Sequence, residues 1–130
     1  MTNELASYDL GDLAGGVVSD IVVDAAGAIY VAGSSFSGAL SGGTTTNAHS
    51  GDGDGFVTKF TDGGTSLTAD WTHYIGSSGS DRIEGLTVQN GAVYVAGQTN
   101  GTLPTATKSG TTDGFAAKID ATSGTADWIR

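Results

Sequence analysis

The string Ser50-Gly51-Asp52-Gly53-Asp54-Gly55 sets three oxygen-bearing side chains at alternate positions, with glycine between them. Hard cations collect several oxygens from one tight loop, and glycine permits the bend that turns them inward. Ser50, Asp52 and Asp54 are therefore the candidate metal ligands, with calcium the cation such a loop would take. The fit is partial, because the first ligand is neutral and Thr61 stands where a bidentate acid would close the loop. Other residues with ligand-binding chemistry are His49, Asp81 beside Arg82 and Glu84, and the two tryptophans, Trp71 and Trp128, whose rings could stack on sugars. For Asp81 and Glu84 a structural role is expected first, bridging neighbouring units through Arg82. Catalysis has little support: there is no Gly-x-Ser-x-Gly elbow and no Cys nucleophile. Gly76-Ser77-Ser78-Gly79 lacks the Lys-Ser/Thr that completes a phosphate loop. The expectation is a protein that is not an enzyme, with a hydrolase or lyase as the remote alternative.

The composition sets the frame that must hold these residues. In 130 residues there are 22 Gly, one Pro, no Cys, 14 acidic and 5 basic side chains, for a net charge of −9. So negative a field repels phosphate and excludes general nucleic-acid binding. No apolar run approaches the ~20 residues of a membrane-spanning helix. Without Cys there is no disulfide framework and no thiolate metal site. Residues Met1–Glu4 carry no basic stretch and precede no apolar run, so export would need a signal upstream in a longer chain or another route.

The chain repeats itself. Ile29-Tyr30-Val31-Ala32-Gly33 recurs as Val93-Tyr94-Val95-Ala96-Gly97 at a shift of 64, and Asp54-Gly55-Phe56 as Asp113-Gly114-Phe115 at a shift of 59. Ala69-Asp70-Trp71 recurs as Ala126-Asp127-Trp128 at a shift of 57, and Ile21 and Val23 match Leu86 and Val88 at a shift of 65. Each length change falls in a Gly/Ser/Thr/Asp segment while the apolar bursts keep their spacing, as when packed elements are joined by tolerant loops.

The bursts are short, β-branched or aromatic, and bounded by glycine, which argues for strands. Each repeat reads as four antiparallel strands: Val17–Val23, Ala28–Ser34, Gly55–Phe60 and Ala69–Ile75, then Ile83–Val88, Ala92–Gln98, Gly114–Asp120 and Ala126–Arg130. Residues Leu5–Leu10 align with Thr72–Ile75 and read as the tail of a preceding outer strand. The resulting division is 1–10, this tail; 11–75, repeat one; 76–130, repeat two. Asn90-Gly91 is a strong hairpin signal, since both residues accept positive φ. Within Ile29–Gly33 both faces are apolar, so the sheet must be covered on both sides.

A repeat of about 60 residues forming a small two-faced sheet is the unit of a β-propeller. The string Tyr74-Ile75-Gly76-Ser77-Ser78-Gly79-Ser80-Asp81, followed by Gly85-Leu86-Thr87-Val88 and Val93-Tyr94-Val95-Ala96-Gly97, resembles the bacterial β-propeller repeat called SBBP. Leu103-Pro104-Thr105 and Asp113 through Ile119 continue the likeness. Repeat one departs from it, with Gly16 in the place of Asp81 and no Pro in its long loop. The resemblance implies an all-β pair of propeller-type blades, part of a larger propeller or of an oligomeric or filamentous assembly. It implies an extracellular or cell-surface setting and supplies no catalytic residues.

Two blades cannot enclose a channel, so their apolar faces require neighbours: further blades of a longer chain, or copies of this one. An alternative is a ring, filament or surface layer built by strand pairing between chains. The recurring Lys59 and Lys118 are expected to pair with carboxylates of an adjacent blade. All the long loops, Ser34–Gly53, Gln98–Thr112, Gly11–Gly16 and Gly76–Ser80, should emerge at one end. That end is the expected face for a ligand, a glycan or a surface protein. Asp54 and Asp113 also read well as turn residues that accept backbone N–H bonds before the following strand.

Overall fold

The computed structural model describes residues 6–130. Among the described residues nine strands form two sheets: β1 (Val17–Val23), β2 (Ile29–Ser35), β3 (Thr44–Asn47), β4 (Asp54–Asp62), β5 (Leu67–Ile75), β6 (Asp81–Gln89), β7 (Ala92–Thr99), β8 (Asp113–Asp120) and β9 (Ala126–Ile129). Sheet one has the order β1-β2-β4-β5-β3, and sheet two the order β6-β7-β8-β9. The all-β expectation holds, and all eight anticipated strands form within a few residues of their expected bounds.

The two repeats agree in irregularities as well as strands. β1 bulges against β2 between Val18 and Asp20, and β6 bulges against β7 between Ile83 and Gly85, the same place at a shift of 65. The β4–β5 ladder shifts at Lys59/Phe60, and the β8–β9 ladder at Lys118/Ile119. A bulge re-aims the strand and increases its twist, so shared bulges give both sheets the same shape. The Asn90-Gly91 turn forms as expected, with φ of 51° and 75°. These left-handed values suit the right-handed twist of the flanking strands.

Sheet one departs from the expected four antiparallel strands. β3, inside the long loop after β2, pairs parallel with β5 along Trp71, Thr72 and His73. Its sequence, Thr-Thr-Thr-Asn, has no apolar face; only the free edge of β5 makes it a strand. The tail expected over Leu5–Leu10 is not a strand in its described part: Leu10 O accepts the Ser41 amide at 2.8 Å, and the Tyr8 ring packs edge-on against Phe60, centroids 5.2 Å apart. Leu5 lies outside the described residues.

The core lies between the sheets. Antiparallel partners share a face, so Tyr30, Ala32, Val57, Trp71 and Ile75 of sheet one project toward sheet two. They meet Leu86, Val93, Val95, Ala117 and Ile119, with Leu103 added from the β7–β8 loop. β6 lies against β1, β2 and β4. The β8–β9 turn finishes the contact: Ala121 O accepts both Lys59 Nζ at 3.0 Å and Trp71 Nε1 at 3.2 Å. Gly124 lies flat on the indole, where a Cβ would meet Trp71 at 2.5 Å. The two sheets stack but do not close on themselves.

Candidate functional site

At the long-loop end, three turns have one construction. Ser50 N donates to Asp54 Oδ2 at 2.7 Å, Ser77 N to Asp81 Oδ2 at 2.7 Å, and Ser109 N to Asp113 Oδ2 at 2.6 Å. In each the serine hydroxyl also reaches the same carboxylate, four residues on. An acceptor placed to receive a nearby amide fixes the turn and the start of the next strand. The turn role anticipated for Asp54 and Asp113 is thus what their carboxylates perform, and Asp81 shares it. The recurring Ser-x-x-x-Asp spacing is the sequence signal for this turn.

Two of these turns touch. Asp81 N donates to Gly53 O at 2.6 Å, and Asn100 N to Ser80 O at 3.0 Å, gathering the loops of both repeats at one end. Asp54 is fully buried, and its Oδ1 has no hydrogen-bond partner among the described residues. Burial pushes its carboxyl above the usual carboxylate range, with the Asp81 charge adding to this and the Ser50 amide and His49 opposing it. The candidate calcium ligands are therefore engaged differently from a cation loop: Asp54 faces an N–H donor, Ser50 donates to it, and Asp52 is exposed.

At this end residues of both repeats line a cleft of about 390 Å³, among them Phe36, Ser80, Asp81, Arg82, Gln98 and Asn100. Phe36 is 47% exposed on one wall. Arg82 Nε pairs with Glu84 Oε1 at 2.6 Å, and Gln98 Nε2 donates to the same oxygen at 3.1 Å. Asn100 Oδ1 accepts the Thr112 hydroxyl at 2.9 Å. An exposed aromatic ring in one cleft with a guanidinium, amides and hydroxyls can bind a polyhydroxylated molecule by stacking and directional hydrogen bonds. Sequence reasoning missed Phe36, Gln98 and Asn100. Neither Gln98 nor Phe36 stands out until the two loop systems are brought together.

The expected site residues fall in different places. Asp81 lines the cleft, but only 3% of it is exposed and its carboxylate is held by Ser77. His49 is half-buried in the long loop, with Nε2 3.0 Å from Ser35 O and its ring edge-on to Tyr74. Trp71 is buried between the sheets, 3% exposed, and Trp128 lies half-buried beside Tyr94, centroids 6.5 Å apart. The tryptophans therefore form no shared stacking platform. The lysine expectation is corrected too: Lys59 reaches the adjacent sheet but finds a backbone carbonyl, and Lys118 pairs with Asp127 of its own sheet at 3.0 Å. The Arg82–Glu84 pair likewise stays within β6 instead of bridging repeats.

His73 is buried, its Nδ1 3.0 Å from Thr46 Oγ1, and burial lowers its pKa against a smaller opposing effect of Gly124. Buried and neutral, it joins β3 to β5 and, through Thr46, to Gly124 O at 2.5 Å.

One relative bears on this. The chain is 34% identical over 123 residues to the regulatory protein FlaEY of Caulobacter vibrioides. The match takes in 95% of this chain and 13% of that protein, so the chain spans a small part of its relative's length. No protein-family model matches the chain.

Proposed function

We propose that the chain is a non-catalytic scaffold and binding module of the β-propeller-repeat type, which takes a glycan in the inter-repeat cleft at its long-loop end. The observation that carries the reading is the exposed Phe36 ring in one cleft with Arg82, Gln98 and Asn100. The four-strand unit recurring with the same bulges supports the propeller-type scaffold. So does the placing of both repeats within a short part of a much longer relative, as expected of modules strung along a chain. An extracellular or cell-surface setting follows if the repeat type is the one its motifs resemble.

Glycan-array screening followed by calorimetry is the test. Binding of at least one saccharide, weakened about tenfold or more by Phe36→Ala and by Arg82→Ala, is the expected result; tenfold corresponds to about 1.4 kcal/mol. Silence across the array, or binding indifferent to both substitutions, would remove the cleft from consideration. A structural subunit remains the second reading, favoured by the open apolar faces described next.

A further inference from the structure

The interface between the sheets joins two unlike faces. Sheet one offers Tyr30, Ala32, Val57, Lys59 and Trp71; sheet two answers with Leu86, Val88, Val93, Val95 and Ile119. Because the sheets are repeats, each carries the other's face on its outer side. The outer face of sheet two presents Tyr94, Ala96, Ala116, Lys118 and Trp128, the counterparts of the sheet-one set. The outer face of sheet one carries Ile21, Val23, Ile29, Val31 and Phe60, the counterparts of the sheet-two set, with Phe60 already covered by Tyr8.

Exposure separates the covered copies from the open ones. Leu86 is 9% exposed and its counterpart Ile21 60%; Tyr30 is 1% exposed and its counterpart Tyr94 36%. On the outer face of sheet one, Ile21, Ile29, Val31 and Phe60 border an apolar groove of about 280 Å³ with Tyr8 at its rim. Val18, Ile21 and Val23, all on this side of β1, each have more than half their surface in water, an unusual concentration for a face that no described residue covers.

We infer that the outer face of sheet two receives the β1–β2 face of a second copy of this chain, repeating head-to-tail the packing that already joins sheet two to sheet one. The occupant follows from the molecule itself, since the complement to each open face is already displayed, in its bound form, inside the chain. Charge agrees: Lys118 and Trp128 occupy the places of Lys59 and Trp71, and would meet the Asp62 turn of the second copy where Lys59 and Trp71 meet Ala121. One contact is not repeated, because Gly85 stands in the place of Asp20, whose Oδ2 accepts the Leu86 amide at 3.0 Å. Two different faces make a heterologous contact, which closes into a ring or runs on as a filament. The inference rests on the apolar sheet faces and not on the cleft ligand, although Arg82 and Gln98 share the side of sheet two that carries Tyr94 and Ala96.

Sedimentation velocity of the whole chain over a concentration series, up to about 100 µM, where interfaces of ordinary size are populated, is the first measurement. Species larger than a monomer should appear and grow with concentration. Ile21→Lys blocks one face and Tyr94→Glu the other, so each variant alone should sediment as a monomer. An equimolar mixture should give a one-to-one dimer that grows no further, since each variant keeps one intact face. Circular dichroism checks that both fold; Val23→Lys and Ala96→Glu, at exposed positions, replace them if either does not. A monomeric wild type, assembly that survives either substitution, or a mixture that stays monomeric would each overturn the inference. Saccharide binding by the monomeric Ile21→Lys variant tests the cleft separately.

Discussion

Asp54 shows how one side chain can look like a metal ligand and serve another end. Its spacing from Ser50 and Asp52 suits a cation, yet its Oδ2 receives an amide and its Oδ1 is buried without a partner among the described residues. A carboxyl whose folded pKa is raised makes its stabilising contribution in full below its unfolded value, and loses it as pH rises through the folded value. Asp54→Asn keeps an acceptor for Ser50 and removes the buried charge. It should raise stability at neutral pH, because a neutral amide is less costly to bury than a carboxylate. The gain should shrink toward zero as pH falls below the carboxylate range, and urea unfolding across pH checks both. With Asp54 engaged in this way, chelating calcium should leave the melting temperature unchanged; a rise of several degrees on adding calcium would restore the metal reading. Asp24 runs the other way: burial pushes its carboxyl up, but the Ala28 amide, the Tyr30 hydroxyl and the Ala26 amide outweigh it. The partner Tyr30, buried and hydrogen-bonded to Asp24, is pushed up to about 12.

At the scale of elements, β5 and β9 are the same strand in two settings. Trp71 on β5 is covered by the β8–β9 turn and donates to Ala121; Trp128 on β9 has no such turn over it. Trp71→Ala should therefore cost about 3–5 kcal/mol, as for large buried aromatics. In a monomeric background Trp128→Ala should cost about 1 kcal/mol or less, in the range of substitutions away from the core. Denaturant unfolding of both variants made with Ile21→Lys measures the difference; equal losses would mean that sheet two is covered as sheet one is. The strand pattern itself was legible, because period-two alternation and bounding glycines are local. β3 was not, since Thr-Thr-Thr-Asn becomes a strand only by borrowing the edge of β5 and fastening to His73 and Gly124 through Thr46.

For the whole molecule, the consequence of two complementary open faces is concentration dependence. A chain that binds its own kind in the folded state gains stability by mass action, so its melting temperature should rise with protein concentration. That rise should vanish in Ile21→Lys and in Tyr94→Glu, the same substitutions that stop sedimentation of larger species. The sequence alone determined the repeat, its strands, the tight turn at Asn90-Gly91 and the loop-rich end, because each rests on spacing and backbone preference within a few residues. It also required that both sheet faces be covered. Only the tertiary structure decided which faces meet, because Tyr30 and Tyr94 stand in near-identical strings and differ solely in what lies across from them. It likewise decided that Trp71 is core, that Asp81 belongs to a turn, and that Phe36 and Gln98, over sixty residues apart, share a cleft.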